Sequence, residues 1–286
     1  MACCELCPRR CRANRLAGRV GYCRAGAELK VASHCLHVGE EPPISGTRGS
    51  GTIFFSHCSM ACVYCQNYPI SQMGYGNTVG TDDLAGMMVE LEHRGAHNIN
   101  LVTPTHFLSG IVEAIVKARA HGLAVPIVYN SSGYERPEVV GMLEGLVQVF
   151  LPDMRYASSK VAEKYSGAPD YPEANREAVQ AMLRLVGHLE CKNGVACSGL
   201  VIRHLLLPSL MDETRQILAF ISGSLSKKTA ISLMSQYFPA NKAFLFDELD
   251  RKITEAERSA AMDLLDKFGL GNGWVQDSDA PASPVA

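Results

Sequence analysis

Apolar positions along the chain fall into short continuous runs separated by longer amphipathic stretches. Six runs rich in Val, Ile, Leu and Phe, at 51–55, 98–102, 126–129, 146–150, 200–206 and 230–234, read as strands buried on both faces. Helical periodicity fills the gaps at 82–94, 109–121, 136–143, 158–165, 172–189, 212–222 and 254–268. Thr81 reads as an N-cap and Gly122 as a stop, while the last helix carries Thr254 as N-cap, Glu257 at the capping-box position and Gly269 beyond its end. Strands that alternate with helices predict a parallel sheet with crossover helices. Six units fall short of a closed eight-stranded barrel. The expected fold class is therefore α/β, an open partial (β/α)6 barrel with its chemistry at the C-terminal strand ends. The fifth run contains Arg203 and His204, which strand alternation sends to opposite faces, so one of them faces the barrel interior.

The remaining chain divides simply. Residues 1–50 form a cysteine-rich N-terminal segment, 51–270 the barrel, and 271–286 a polar, Pro- and Ala-rich tail expected to be disordered beyond Gln276. Within 36–50 the turn residues predict an irregular connector, where Glu40 and Glu41 read as solvated surface groups or as lining of a substrate cavity. Hydrophobic residues make up 47% and charged residues 20%, with a formal net charge of −2, which argues against nucleic acid as a partner. No apolar run reaches the ~18–20 residues of a membrane span. Residues 1–24 lack the apolar centre of a signal peptide, so a cytoplasmic location is expected. Eleven cysteines in that setting favour metal or redox chemistry over disulfides.

The strongest chemical signal is Cys58, Cys62 and Cys65, on the loop that follows the first predicted strand. Three thiolates suit a [4Fe-4S] cluster whose fourth iron stays open, whereas a zinc knuckle usually needs a fourth ligand and core cysteines need no such spacing. A second field, Cys4, Cys7, Cys11 and Cys23, is read as a second metal site holding either zinc or an iron–sulfur cluster, with Cys3 and Cys35 spare. Cys191 and Cys197 lie in a turn and read as free thiols. Arg9, Arg10, Arg12, Arg15 and Arg19 make the N-terminal segment basic, either as a solvated face or as contacts to an acidic partner or electron donor. At the other strand ends stand Thr103, Thr105 and His106, then Asn130 and Ser132, then Asp153, then Gln236. A buried Asp153 requires a partner, supplied by Arg155, a cation or a substrate donor. No Ser-His-Asp order, phosphate loop or dinucleotide fingerprint appears.

The cysteine spacing, with Tyr64 just before the last thiol, resembles that of the radical S-adenosylmethionine (SAM) superfamily. Over nearly its whole length the chain resembles uncharacterised radical SAM proteins grouped with pyruvate formate-lyase activating enzymes. The matching stretches include Cys4-Glu5-Leu6-Cys7-Pro8-Arg9, Glu40-Glu41-Pro42, Thr103-Pro104-Thr105-His106-Phe107, Leu151-Pro152-Asp153, Arg203-His204 and Ser235-Gln236-Tyr237. The resemblance implies a cluster on Cys58, Cys62 and Cys65 whose open iron chelates SAM. It implies reductive cleavage to a 5′-deoxyadenosyl radical and hydrogen abstraction, with glycyl-radical enzyme activation as one outcome and modification of a small molecule or peptide as the other. Taken with the strand-end positions, it points to SAM contacts at Tyr64, Thr103, Thr105, His106, Asn130, Ser132, Asp153, His204 and Gln236, and to catalytic roles for Asp153 and Arg203. A low-potential electron donor such as flavodoxin or ferredoxin is the implied partner, together with a protein or small-molecule substrate. A metal-stapled binding protein without radical chemistry is the alternative from another class. The chain departs from the pattern in four places: Thr103–His106 lacks the Gly-Gly-Glu motif of the wider superfamily, Arg155 replaces a lysine, and His57 and Ser209 stand where glycines are expected.

Overall fold

The computed structural model of the chain describes residues 2–276. Its strands are β1 (Leu29–His37), β2 (Ser50–Phe55), β3 (Asn77–Val79), β4 (Ile99–Val102), β5 (Ile127–Ser131), β6 (Val149–Pro152), β7 (Glu190–Lys192), β8 (Val195–Leu205), β9 (Ala230–Met234) and β10 (Gly273–Gln276). The helices are α1 (Pro42–Ser45), α2 (Tyr68–Ser71), α3 (Thr81–His93), α4 (Leu108–Ala120), α5 (Pro137–Gly141), α6 (Ser159–Ser166), α7 (Tyr171–Val186), α8 (Met211–Phe220) and α9 (Glu255–Phe268). All six predicted strands are present, as β2, β4, β5, β6, β8 and β9, and they pair in parallel in that order.

The sheet extends beyond them at both ends. β10 adds in parallel to β9, and β1 pairs antiparallel with β2 and β3. Part of the expected tail is thus a strand, while its continuation past Gln276 lies outside the described residues. The 29–37 segment is likewise part of the barrel sheet, not of a separate N-terminal unit. The curved sheet stays open, a partial barrel as expected.

Alternation along the strands sorts side chains into two layers. Ile53, Leu101, Tyr129, Phe150, Ile202 and Leu233 point outward and are covered by helical residues such as Leu84, Ile111, Val179 and Ile217. Val128, Val149, Leu151, Val201 and Ala230 point inward and close on Ile44 of α1. That short helix therefore plugs the N-terminal end of the barrel. Above the plug the interior is polar: Asn100, Asn130, Arg203 and Ser232 share the inward parity.

Local signals hold where they are strong. The Thr254 hydroxyl accepts a bond from Glu257 N, the Glu257 carboxylate accepts one from Thr254 N, and Gly269 ends α9 at φ 67°. At α3 the helix begins one residue early: Gly80 is the cap, its N–H bonded to Asp83 at 2.9 Å, and Thr81 is already helical. Among the described residues no helix is long and apolar enough to cross a membrane.

Candidate active site

Parallel strands deliver their C-terminal ends to one side of the sheet, and the cysteine loop leaves β2 on that side. The loop is tightly held. Val63 N donates to Tyr165 O of α6, Lys242 N donates to Val63 O, and Asn241 and Gln72 both donate to Cys62 O. Arg9 from the N-terminal segment donates to Ser59 O at 3.1 Å while its guanidinium lies 3.7 Å from the centre of the Tyr22 ring. Beneath the loop a buried aromatic layer of Tyr64, Tyr156, Tyr171 and Tyr237 excludes water.

Each cysteine sulfur of the triad has a hydrogen-bonding neighbour. Met60 N donates to Cys58 Sγ at 3.3 Å, Ser71 Oγ lies 3.2 Å from Cys65 Sγ, and Cys62 Sγ takes Ser166 Oγ at 3.0 Å and Arg155 Nη1 at 2.8 Å. Burial pushes the Cys58 and Cys65 thiols up, and the neighbouring Cys62 adds to it. A thiol in such a place does not ionise alone, so these sulfurs become thiolates only with a cation to neutralise them. Three sulfurs on one loop, Cys62 buried and Cys58 and Cys65 half-buried, each with a hydrogen-bonding neighbour, fit thiolate ligands of an iron–sulfur cluster. Among the described residues no three His, Cys, Asp or Glu side chains converge on a single-ion site. Cluster thiolates, each on a different iron, have no need to converge in that way.

From Cys62 a chain of charges runs down into the barrel. Arg155 donates through Nε and Nη2 to Asp153 Oδ2 at 3.1 and 2.5 Å. Arg203 Nε donates to Asp153 Oδ1 at 2.9 Å, and its Nη1 lies 3.4 Å from Glu40 Oε2. Asn100 Nδ2 donates to Glu40 Oε1 at 3.1 Å. Burial works against the Asp153 carboxylate, but the Arg203 and Arg155 guanidiniums overcome it and hold its pKa below the usual range. The backbone here is fixed from α7: the Tyr171 hydroxyl lies 3.0 Å from Asp153 O, and Asn175 Nδ2 donates to the same oxygen at 2.9 Å. Gly133 allows this close approach, since a Cβ there would lie 2.3 Å from Asp153 O.

No family model matches the chain. The uncharacterized protein MJ0674 of Methanocaldococcus jannaschii is 30% identical over 276 residues, a match covering 93% of this chain and 75% of that protein. The chain belongs to the MJ0674 family. Its barrel is the radical SAM fold. Streptococcus suis SuiB bound to its precursor peptide SuiA aligns over 77% of this chain with a TM-score of 0.56 at 10% identity. SuiB bound to S-adenosylmethionine aligns over the same 77% with a TM-score of 0.53 at 11% identity. The chain spans only 47% and 45% of those two SuiB chains.

In this MJ0674-family barrel, Thr103, Asn130, Asp153, Arg203 and Gln236 all stand at or just below the strand ends beside the cysteine loop. Several expected SAM contacts are instead committed elsewhere. His204 points outward, its Nδ1 2.7 Å from Met154 O and its Nε2 2.9 Å from Thr214 Oγ1 of α8, so Arg203 is the residue facing inside. Thr105 donates to the buried Glu135 carboxylate at 2.6 Å, and the His106 ring bonds Ser56 O at 2.7 Å. Burial takes the His106 pKa down to about 3, so the ring is neutral and its Nε2–H donates to that carbonyl. His106 O in turn accepts from Arg15 at 2.5 Å, which docks the N-terminal segment. The Tyr64 hydroxyl lies 2.6 Å from that of Tyr156 inside the aromatic layer, Ser132 Oγ accepts from Tyr134 N, and Gln236 bonds Gln276 of β10.

Cys4, Cys7 and Cys23 are buried and Cys11 is exposed; burial raises the Cys7 thiol to about 12, and Cys23 and Cys11 are close enough to add to it. Arg9 and Arg15 serve internal contacts, leaving Arg10, Arg12 and Arg19 on the surface. Glu40 and Glu41 correct the surface reading of the connector: Glu41 is fully buried, and the Glu40 carboxylate meets Arg203 and Asn100 inside the barrel. Arg155 and these two glutamates are the parts of the site that sequence reasoning underweighted. The Asp-x-Arg spacing at 153–155 was the available signal for Arg155.

Proposed function

We propose that the chain is a radical SAM enzyme that takes a hydrogen atom from a substrate held in the barrel mouth. The observation that carries this reading is the Cys62–Arg155–Asp153–Arg203 chain, which ties the sulfur of a cluster-type cysteine loop to a charged group at the centre of a radical SAM barrel. When bound at Cys58, Cys62 and Cys65, a [4Fe-4S] cluster with SAM supplies one-electron cleavage of the sulfonium to a 5′-deoxyadenosyl radical. The protein's own part is positional. Arg155 and Ser166 donate to Cys62 Sγ and stabilise its thiolate, Asp153 orients both arginines, and the tyrosine layer keeps water from the loop. Thr103 and Asn130, at the strand ends, are the polar groups we assign to SAM, together with the Gln236 Oε1, which stays unpartnered while the amide nitrogen holds Gln276.

The substrate is either a glycyl residue of a partner enzyme or a smaller molecule. Asp153-Met154-Arg155 resembles the Asp-Leu-Lys stretch of glycyl-radical activating enzymes and favours the first. The polar interior at Glu40 and Arg203 favours the second. The same reading includes a low-potential flavodoxin or ferredoxin donor, a second metal at Cys4, Cys7, Cys11 and Cys23, and a cytoplasmic setting. The test is anaerobic incubation of reduced, cluster-loaded protein with SAM. 5′-Deoxyadenosine should form, and Cys58→Ala, Cys62→Ala and Cys65→Ala should each lose both the product and the cluster iron. Full iron content and full product in all three variants would refute the assignment.

A further inference from the structure

The Glu41 carboxylate lies inside the barrel with 0% of the residue exposed, and neither of its oxygens has a hydrogen-bond partner. Its backbone is fixed by the plug helix, since Glu41 O accepts from Ile44 N at 2.8 Å and Ser45 N at 3.0 Å. The groups around it are Glu40 on the same loop, Arg203 on β8, Ser232 on β9 and His37 on β1. Ser232 Oγ stands near enough to the carboxylate to favour its ionised form but outside hydrogen-bond geometry, and across from Glu40 the Asn100 Oδ1 has no partner either. A buried polar atom left unpaired costs on the order of 1–3 kcal/mol, so a cluster of them in one interior marks a place for a missing group.

The chemistry of that group follows from what is in surplus. The unfilled positions are acceptors: two carboxylate oxygens, an amide oxygen and a hydroxyl able to accept. Charge is in surplus with the same sign. Asp153, Glu40 and Glu41 are set against Arg155 and Arg203, and both arginines are already bonded to Asp153. Burial lowers the His37 pKa, so that ring is neutral at physiological pH and does not supply the cation. A primary ammonium brings one positive charge and three N–H donors. The interior also has an entrance: Arg155 and Arg203 keep 23% and 20% of their side-chain surface exposed, and Phe54 and Val102 on the inward face are only half-buried.

We propose that the barrel interior binds a primary alkylammonium group of the substrate, with Glu41 as its counter-ion and Ser232 as a further acceptor. The Asp153–Arg203 pair then lies between the amine and the cysteine loop. Ser232 sits two residues before the end of β9, roughly 7 Å below the rim at ~3.3 Å per residue, so the amine is the anchoring end and the carbon skeleton extends toward the loop. As a substrate site this rests on the radical SAM reading; as an amine site it does not. Burial holds the Glu41 carboxyl at about 7, with Glu40 adding to the shift and Arg203 opposing it. An ammonium that displaces its proton should release that proton.

The experiment is calorimetric titration of anaerobic cluster-loaded protein with cadaverine, free lysine, Nε-acetyl-lysine and an end-blocked lysine peptide. Cadaverine or lysine should bind and the acetylated compound should not. Binding by the peptide in preference to free lysine would place the amine on a polypeptide. Buffer-dependent heats should show more proton release at about pH 6 than at about pH 8. Glu41→Gln should weaken binding about 100-fold, as loss of one partner of a buried charge pair does, and Ser232→Ala several-fold. In the absence of amine, Glu41→Gln should raise Tm at about pH 8, where the carboxyl is ionised, because it removes an unpaired buried charge. No amine binding, or Glu41→Gln that lowers Tm and leaves affinity unchanged, would overturn the proposal. 5′-Deoxyadenosine formation without amine binding sinks this inference alone. Amine binding without SAM cleavage sinks the radical reading alone.

Discussion

Asp153→Asn tests the charge chain directly. The carboxylate accepts from Arg155 Nε, Arg155 Nη2 and Arg203 Nε, and only 9% of its side chain is exposed. Removing one partner of a buried ion pair costs about 3–5 kcal/mol, because the other charge stays behind unpaired. Here two features place the cost at the low end. Arg203 keeps Glu40, and both guanidiniums reach solvent over about a fifth of their surface. About 3 kcal/mol is therefore expected, a factor of roughly 100 in the folding equilibrium and a Tm lower by roughly 6–10 °C for a chain of this size. The sign with pH is fixed by the direction of the shift. A carboxylate held below its unfolded value contributes stability that is complete above about pH 4 and is lost as pH falls through the folded pKa, so the variant's deficit should shrink in acid. The assay is anaerobic thermal unfolding at fixed scan rate, at about pH 7 and about pH 3, below the unfolded carboxyl value, with iron content measured alongside. Adding Arg155→Gln should return more than 1 kcal/mol, because it removes one of the stranded cations. A single variant within ~0.5 kcal/mol of the parent at neutral pH would refute the reasoning.

Two further variants separate the inward from the outward side of the site. His204→Ala leaves Met154 O and Thr214 Oγ1 without their bonds and should cost about 1–3 kcal/mol while 5′-deoxyadenosine still forms, whereas Arg203→Ala should reduce that product with the iron content retained; the opposite pattern would reverse the facing of β8. Glu257→Ala breaks the α9 capping box together with the bonds from Arg251 and Ser209 N, and should lower stability by about 1–2 kcal/mol in urea unfolding with no change in iron content.

The parallel strands were legible because each is buried on both faces, which turns the strand into an uninterrupted apolar run; Ala230–Met234 matches its predicted span at both ends. β1 escaped that test. It is an antiparallel strand with only Leu29 and Val31 fully buried, and His34, Cys35 and His37 break its apolar pattern. β10 is Gly-Trp-Val-Gln, in which only Trp and Val favour a strand, a run too short to stand out, and it forms because β9 offers a free edge. The two departures from expected glycine keep the glycine conformation: His57 has φ 72° and Ser209 has φ 64°. The His57 ring fills the space against Gly74, where a Cβ would lie 2.5 Å from the ring, so the two positions accommodate each other across the cysteine loop.

The least legible residues are the ones the site depends on most. Strand alternation states that Arg203 and His204 oppose each other, but which one faces inward is decided at a distance, by Asp153 on one side and Thr214 on the other. Two adjacent glutamates followed by two prolines carry every local mark of a solvated turn. Only the closure of β1 onto β2 carries that turn beneath the barrel and buries the second glutamate completely. Such a burial gives the fold nothing in exchange: Ile44 alone would seal the floor, and an unpaired carboxylate above it is a cost. A residue that breaks the local rule, costs stability and faces the polar barrel interior is better explained by what it binds than by what it holds together.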